Sequence, residues 1–350
     1  MTTQTTHNIP FAALRNRDFR LLWSGQLISQ MGSTMQTLTI NWHISVLTNY
    51  DPLALGLVGL SRFLPIVFFS LIGGAVADAR DRRRLMLLTQ SAMAIFAAIL
   101  GYLTDRGLSI VWPIYILNAM SAAAWAFDNP ARQALVPSLV PREQLANAMS
   151  LNSIMFQTAT IAGPTIAGFL IAAHSVSIVY WINALSFLAV IVALLLMHPV
   201  QVKATRKIDV GSVREGLSFV RHQPIILSTM TLDFFATFFS SASQLLPIFA
   251  AKILNVGAQG FGFLEAAPAV GALLSGSTMS IMVTRIKRPG SLILWSVALY
   301  GLATIAFGLS ASFWLSLIFL GLTGIADNVS TILRSTIRQL VTPDQLRGRM

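Results

Sequence analysis

Ten predominantly apolar runs, near residues 21–47, 53–77, 85–103, 109–128, 146–173, 176–198, 225–250, 258–283, 290–309 and 312–332, make up most of this 350-residue chain. Their recurrence at that length constrains the fold more than any other feature. A helix needs roughly 20 mostly apolar residues to cross a hydrocarbon layer about 30 Å thick, where no water satisfies stray backbone groups. With 55% hydrophobic and only 11% charged residues, the chain carries more apolar surface than a water-soluble core can bury. The reading is an all-α membrane protein of about ten spans. Short connections rich in turn residues, such as "TNYDPL" and "TDRGLS", reverse the chain between runs. The polar opening "MTTQTTHNIPFAALRNRDF" lacks the apolar core and cleavage site of a secretory signal, so the first run is read as a retained span. Cysteine is absent, which excludes disulfides and thiolate metal sites.

The formal net charge is +11. Nucleic-acid binders gather such charge on one face, whereas here it is scattered between apolar runs, so nucleic acid is not an expected partner. With the amino terminus in the cytoplasm, 21 of the 24 Lys and Arg residues fall on inside segments, Arg106 and Lys252 fall outside, and Arg62 lies within a span. Basic residues in short loops stay cytoplasmic. The expectation is a multi-pass protein of the bacterial cytoplasmic (inner) membrane, amino terminus inside, with the lipid bilayer as its first partner. Tyr50, Tyr102, Trp112 and Trp314 fall near outer ends of runs and Trp23 near an inner one, as an interfacial aromatic belt requires.

The longest polar stretch divides the chain. Residues 1–20 read as a cytoplasmic segment, 21–198 as a six-helix bundle, 199–224 as a cytoplasmic linker with a short amphipathic helix striped by Val213, Leu217 and Val220, and 225–350 as a second bundle with four of six expected helices. The halves echo one another: "GLSRFLP" at 59–65 matches "GFLEAAP" at 262–268, and "EQLANAM" at 143–149 matches "DQLRGRM" at 344–350, offsets of 203 and 201. A repeat about 200 residues long follows, and paired repeats are typical of secondary transporters. Met350 then aligns with Met149, two spans short of a half, so a twelve-span parent is expected.

Between the second and third runs, six charges occupy residues 78–84, within the pattern G-x-x-x-D-x-x-x-R-R at Gly74, Asp78, Arg82 and Arg83. The fifth run carries GP-x-x-x-G at Gly163, Pro164 and Gly168. These resemble the loop signature of the major facilitator superfamily and the span-five motif of its proton-driven exporters. "LRNRDFRLLWSGQ", "PLALGLVGL", "GGAVADARDRRRL" and "NPARQALVPSLVPREQLANAMSLN" are similar to the branch containing enterobactin-type siderophore exporters and related efflux proteins. The chain departs from the loop pattern at Ala79 and Asp81, where the family often has a basic residue and a glycine. The resemblance implies two pseudo-symmetric six-helix halves, the second truncated here, and a latch in which Asp78 contacts the start of an eleventh span. Independently, an aspartate at a helix end can pair with arginines or accept N–H groups from a neighbouring helix terminus, contacts that exist only while those ends are together.

Ionisable residues inside a span are costly and mark sites. Arg62 in the second run and Glu265 in the eighth hold equivalent places, ten and about eight residues in; they are read as a pair across a substrate cavity, with Arg62 suited to an anion. Asp233 in the seventh run has no basic companion nearby, which suits proton coupling, a role also open to Glu265. Gln30 and Gln36, with Gln26 and Ser33, fall broadly on one side of the first run and are read as a water-facing wall. Asp128 and Asp327, at the inner ends of the fourth and tenth runs, are read as gate or cap residues, and Arg132 one turn after Asp128 suggests a local pair. His43 is read as structural, and Phe234, Phe235, Phe238 and Phe239 as packing or lipid-facing. No phosphate loop, zinc spacing or nucleophile triad occurs, so neither an enzyme nor a bound cofactor is expected. The combined expectation is a monomeric secondary transporter that exports a siderophore-like or amphipathic small molecule in exchange for protons, with uptake as the nearest rival and a non-transporting sensor or scaffold as a distant one.

Overall fold

The computed structural model describes residues 11–198, 223, 227–228, 230–232, 234, 243–282 and 289–341, with 71, 243, 280–282 and 338–341 described by backbone alone. These residues fall into two compact units, one within Met1–Arg206 and one within Lys207–Met350. The expected linker at 199–224 and its apolar stripe lie outside the described residues but for Gln223, as does the "DQLRGRM" half of the repeat match.

The first unit contains α1 (Arg17–Leu47), α2 (Pro52–Ala79), α3 (Arg82–Asp105), α4 (Trp112–Leu135), α5 (Leu145–Ala173) and α6 (Val176–Leu196). In the second, a 3₁₀ turn Ser243–Leu245, the short α7 (Leu246–Ile248) and a π-helical turn Phe249–Ile253 precede α8 (Gly257–Met282), α9 (Pro289–Leu309) and α10 (Phe313–Val341). No strand occurs among the described residues. Six of these helices, α2, α3, α5, α6, α9 and α10, are long and apolar enough to cross a membrane.

Local chemistry sets the helix starts. Asp51 accepts the Leu53 N–H at 3.0 Å with Pro52 in the first helical position, after a turn in which Asn49 and Tyr50 take left-handed φ of 53° and 67°. Asp81 accepts from the Arg83 and Arg84 amides at 2.9 and 3.3 Å and so caps α3. The residue that departs from the family's loop pattern thus has a structural use. The helices also outrun the apolar runs: α1 begins at Arg17, α4 continues to Leu135 and α10 to Val341. A backbone hydrogen-bond ladder does not stop where the first charge appears.

Within the first unit α1 packs on α5 and α6, α2 on α4, and α3 on α4 and α6; within the second, α8 and α9 both pack on α10. The pairings of second with fourth and third with fourth helix thus recur one unit later, as a repeat requires. Glycine sets the closest approaches. A Cβ on Gly73 would strike the Ala126 carbonyl of α4, one on Gly271 the Gly321 carbonyl of α10, and one on Gly324 the Pro268 carbonyl of α8. In the span-five motif, a Cβ on Gly163 would strike the Thr34 hydroxyl of α1, whose Oγ1 lies 2.8 Å from the Ala159 carbonyl; Pro164 and Gly168 are buried beside it.

Side-chain polarity is inverted relative to a soluble protein. Outward faces carry Phe63, Val67 and Phe68 on α2 and Leu185, Leu188, Val192 and Leu195 on α6. Gln26, Gln36, Asn41 and His43 of α1 point inward and are buried. The α1–α6 seam pairs two of them: Asn183 Nδ2 donates to Gln36 Oε1 at 2.8 Å, and the His43 ring lies 3.1 Å from the Tyr180 hydroxyl. His43 is therefore a packed, partnered residue. An interhelical bond of this kind contributes roughly 0.6 kcal/mol in a membrane protein, so the seam depends on many small terms acting together.

Candidate functional site

Some of the inward polar groups of the first unit, Gln36 and Asn183 among them, line a recess with about 510 Å³ of empty space, including its open mouth. Ser33, Gln36, Thr37 and Ile40 of α1, Arg62 and Ile66 of α2, Met93 of α3, Asn118, Ser121, Ala122 and Trp125 of α4, and Asn183 and Phe187 of α6 line it. Arg62 is ten residues from the start of α2, about 15 Å along the axis at 1.5 Å per residue. Its Nη1 donates to Thr37 Oγ1 at 3.1 Å, which fixes one edge of the guanidinium against α1. Asn118 Nδ2 donates to Ser61 Oγ at 2.9 Å and ties α4 to α2 beside it. Gln36 lies in this wall, whereas Gln30 is half-buried outside it. The wall residues Asn118, Ser121 and Trp125 were missed in the sequence; only Asn118, an amide inside an apolar run, carried a signal there.

Closer to the far end of α4 lies a second polar cluster. Asp128 and Arg132 are each only 3% exposed. Asp128 accepts from Thr89 Oγ1 at 2.9 Å and from Gln90 Nε2 at 3.0 Å, both on α3. Arg132 donates to Gln26 Oε1 of α1 at 3.4 Å and to Asn129 Oδ1 at 2.8 Å, and its guanidinium lies 4.6 Å from the Phe156 ring centroid on α5. The two residues do not form the close pair their spacing suggests; α3 takes the carboxylate and α1 with α5 takes the guanidinium, leaving the charges coupled through space. Asp128 also sits seven residues before the end of α4, not at its terminus.

At the charged gap, two of the four arginines are committed to helix ends. Arg82 Nη1 donates to the Ala134 carbonyl of α4 at 2.9 Å, and Arg83 donates through Nε and Nη2 to the Leu194 and Leu195 carbonyls of α6 at 2.6 and 3.1 Å. A cation on the unsatisfied carbonyls of a helix carboxyl end is favoured by hydrogen bonding and by the macrodipole. Asp78 is exposed and, among the described residues, pairs with neither arginine. Replacing Arg83 with alanine is expected to cost about 1–2 kcal/mol, the worth of charge-assisted hydrogen bonds at a partly buried helix end; lysine, a point charge, restores only part. Thermal unfolding of the purified protein in detergent measures both.

In the second unit, Glu265 is half-buried on α8, eight residues from its start. Asp327 is exposed on α10, with its Oδ1 3.9 Å from Nη2 of the buried Arg334. Asn328 donates to the Ala272 carbonyl and Ser275 Oγ of α8, each at 2.9 Å. Asp233, Phe235, Phe238 and Phe239 lie outside the described residues. No cluster of His, Cys, Asp and Glu able to hold a metal occurs among the described residues.

Apolar-faced helices, with second-on-fourth and third-on-fourth packing in both units, give a multi-pass membrane fold of the major facilitator type. The chain belongs to the transmembrane secretion effector family of that class, whose profile matches residues 8–350. It is a family of transporters, not of enzymes. Over 341 residues the chain is 27% identical to the enterobactin exporter EntS of Escherichia coli O1:K1, covering 95% of this chain and 79% of that protein. It is 27% identical over 264 residues to the staphyloferrin A transporter of Staphylococcus aureus, and 28% over 213 residues to the uncharacterized MFS-type transporter YfiS of Bacillus subtilis. The matches cover 73% and 59% of this chain and span only 63% and 50% of those relatives' lengths. Among solved structures, a bacterial homologue of the iron transporter ferroportin in an inward-facing state aligns with a TM-score of 0.68 at 17% identity, over 95% of this chain and 86% of that one. The nucleoside transporter NupG aligns with a TM-score of 0.69 at 14% identity, over 95% and 84%. Likeness at this identity establishes the fold.

Proposed function

We propose that the protein is a proton-coupled exporter of siderophore-like or other amphipathic small molecules, working by alternating access in the bacterial cytoplasmic membrane with its amino terminus inside. The observation that carries this reading is Arg62, a cation ten residues into a predominantly apolar helix and set at a polar recess. A bundle without cargo has little use for a charge that costs several kcal/mol at that depth. Relatives named for enterobactin and staphyloferrin A support the cargo class.

In this reading Arg62, Gln30, Gln36, Glu265 and Asp233 serve the substrate path, with Asp233 and Glu265 carrying protons. The carboxylate loads a proton from the more acidic side and releases it after access switches, so inward movement of protons drives outward movement of cargo. Asp78, with Gly74, Arg82 and Arg83, serves as a latch at the cytoplasmic face. Because Arg82 and Arg83 already hold the ends of α4 and α6, the exposed Asp78 carboxylate is the group left to engage another element. Asp128, Arg132 and Asp327 stiffen the gate regions, and the close contact at Gly163 lets α5 move with α1.

Inverted membrane vesicles with an acidic interior should accumulate radiolabelled iron-free enterobactin, and an uncoupler should abolish the accumulation. Asp233→Asn should lose this coupled flux by more than about tenfold, a barrier change of roughly 1.4 kcal/mol, while keeping downhill counterflow. Accumulation confined to right-side-out vesicles would reverse the direction, and unaltered flux in Asp233→Asn would remove that residue from the coupling.

A further inference from the structure

Where the carboxyl end of α6 meets the amino end of α1, one histidine nitrogen faces two partners of opposite charge. His198 lies two residues beyond α6 with its ring exposed. Its Nδ1 is 3.2 and 3.1 Å from the two carboxylate oxygens of Asp18 and 3.3 Å from Nη1 of Arg17. That Nη1 is itself 3.4 Å from Asp18 Oδ1, so the three groups form one cluster. Asp18 lies in the first turn of α1 and also accepts the His198 backbone N–H, at 3.5 Å. The other charge at this corner is Arg83 of α3, bound to the Leu194 and Leu195 carbonyls one turn earlier.

Which partner Nδ1 takes depends on its proton. A charged ring donates from Nδ1 to Asp18 in a charge-assisted bond. It also sets positive charge at the carboxyl end of α6 beside negative charge at the amino end of α1, and both helix dipoles favour that arrangement. A neutral ring with its proton on Nε2 turns a lone pair to Arg17 and sets it against the Asp18 oxygens; with its proton on Nδ1 it keeps only a weaker, uncharged bond. Histidine is the side chain that changes charge between about pH 5 and 8. We propose that Asp18 and His198 form a proton-operated clasp that fastens the exit of α6 to the start of α1, tight while the ring is charged and slack as pH rises. With the amino terminus inside, as in the reading above, the clasp responds to cytoplasmic acidity. Its action needs neither cargo nor gradient.

Hydrogen exchange of the purified full chain in detergent, corrected for the intrinsic pH dependence of exchange, tests this apart from transport. The amides to follow are that of His198 and that of Met197, which donates to the Ala193 carbonyl at 3.1 Å. Both should exchange at least about threefold more slowly at pH 6 than at pH 8, in keeping with one partly exposed ion pair. His198→Gln and Asp18→Asn should each remove that difference, while Arg17→Gln, which takes away only the rival partner of the neutral ring, should keep it. A contact of purely structural use would slow exchange equally at both pH values. No difference in the parent, a full difference remaining in either His198→Gln or Asp18→Asn, or its loss in Arg17→Gln overturns the clasp. The expected pattern alongside failed vesicle export keeps the clasp and overturns the export reading; vesicle export with a flat exchange profile does the reverse.

Discussion

Arg132→Met will destabilise the first unit by about 3–5 kcal/mol, and adding Asp128→Asn will recover most of that loss. Both side chains are almost wholly buried, and Arg132 is the charge that acts on the Asp128 carboxylate. Removing the guanidinium leaves Asp128 its hydrogen bonds from Thr89 and Gln90 but no counter-charge in a low-dielectric interior. Asp128→Asn alone strands the guanidinium in the same way. The double variant is neutral: the asparagine can still accept from Thr89, and the methionine fills the space against Phe156. Unfolding of all four proteins in detergent gives the coupling free energy. Losses that add to within about 0.5 kcal/mol would mean that the two charges are independent.

Adjacent glycines in α2 will respond in opposite directions. At Gly73 an added Cβ meets the Ala126 carbonyl oxygen, with the Phe127 Cα at 3.2 Å, and backbone cannot move aside as a side-chain tip can. Gly73→Ala should therefore cost about 1–3 kcal/mol as an overpacked contact. At Gly74 no atom lies within 4 Å of an added Cβ, so alanine should stabilise the helix by about 0.5–1 kcal/mol. Yet Gly74 is the glycine of the loop pattern. If it is needed for a close approach in another state of the transport cycle, Gly74→Ala will fold at least as well as the parent and transport at least about tenfold more slowly, a barrier rise of roughly 1.4 kcal/mol. A stable variant with full flux would remove Gly74 from the latch.

Spans are legible because lipid demands long apolar segments and water demands polar turns, and the first six helices fall close to the expected runs. Their ends are not, because hydropathy changes at the headgroups while the backbone ladder continues. Asp128 was assigned to the end of a run when it lies well inside α4. Its neighbours were hidden for a different reason. Spacing along one helix suggests Arg132 as its partner, but Thr89 and Gln90 approach from α3, and only tertiary packing places them there. Arg62 was legible since a charge inside a span is conspicuous by itself. Ser121 and Trp125 were not, since serine and tryptophan are tolerated on any face of a membrane helix. Arg82 and Arg83 were read through topology and motif, and their use as caps depends on where α4 and α6 end in space.

The grip on α6 has a mechanical side. Arg83 of α3 holds the Leu194 and Leu195 carbonyls, and Asp18 of α1 lies 3.1 Å from the His198 ring just beyond them. A pull on the chain where it leaves α6 is thus shared by three helices rather than unravelling the last turn of one. Tension arriving there would be delivered to α1 and α3, so the exit of the first bundle behaves as a braced anchorage rather than a frayed end.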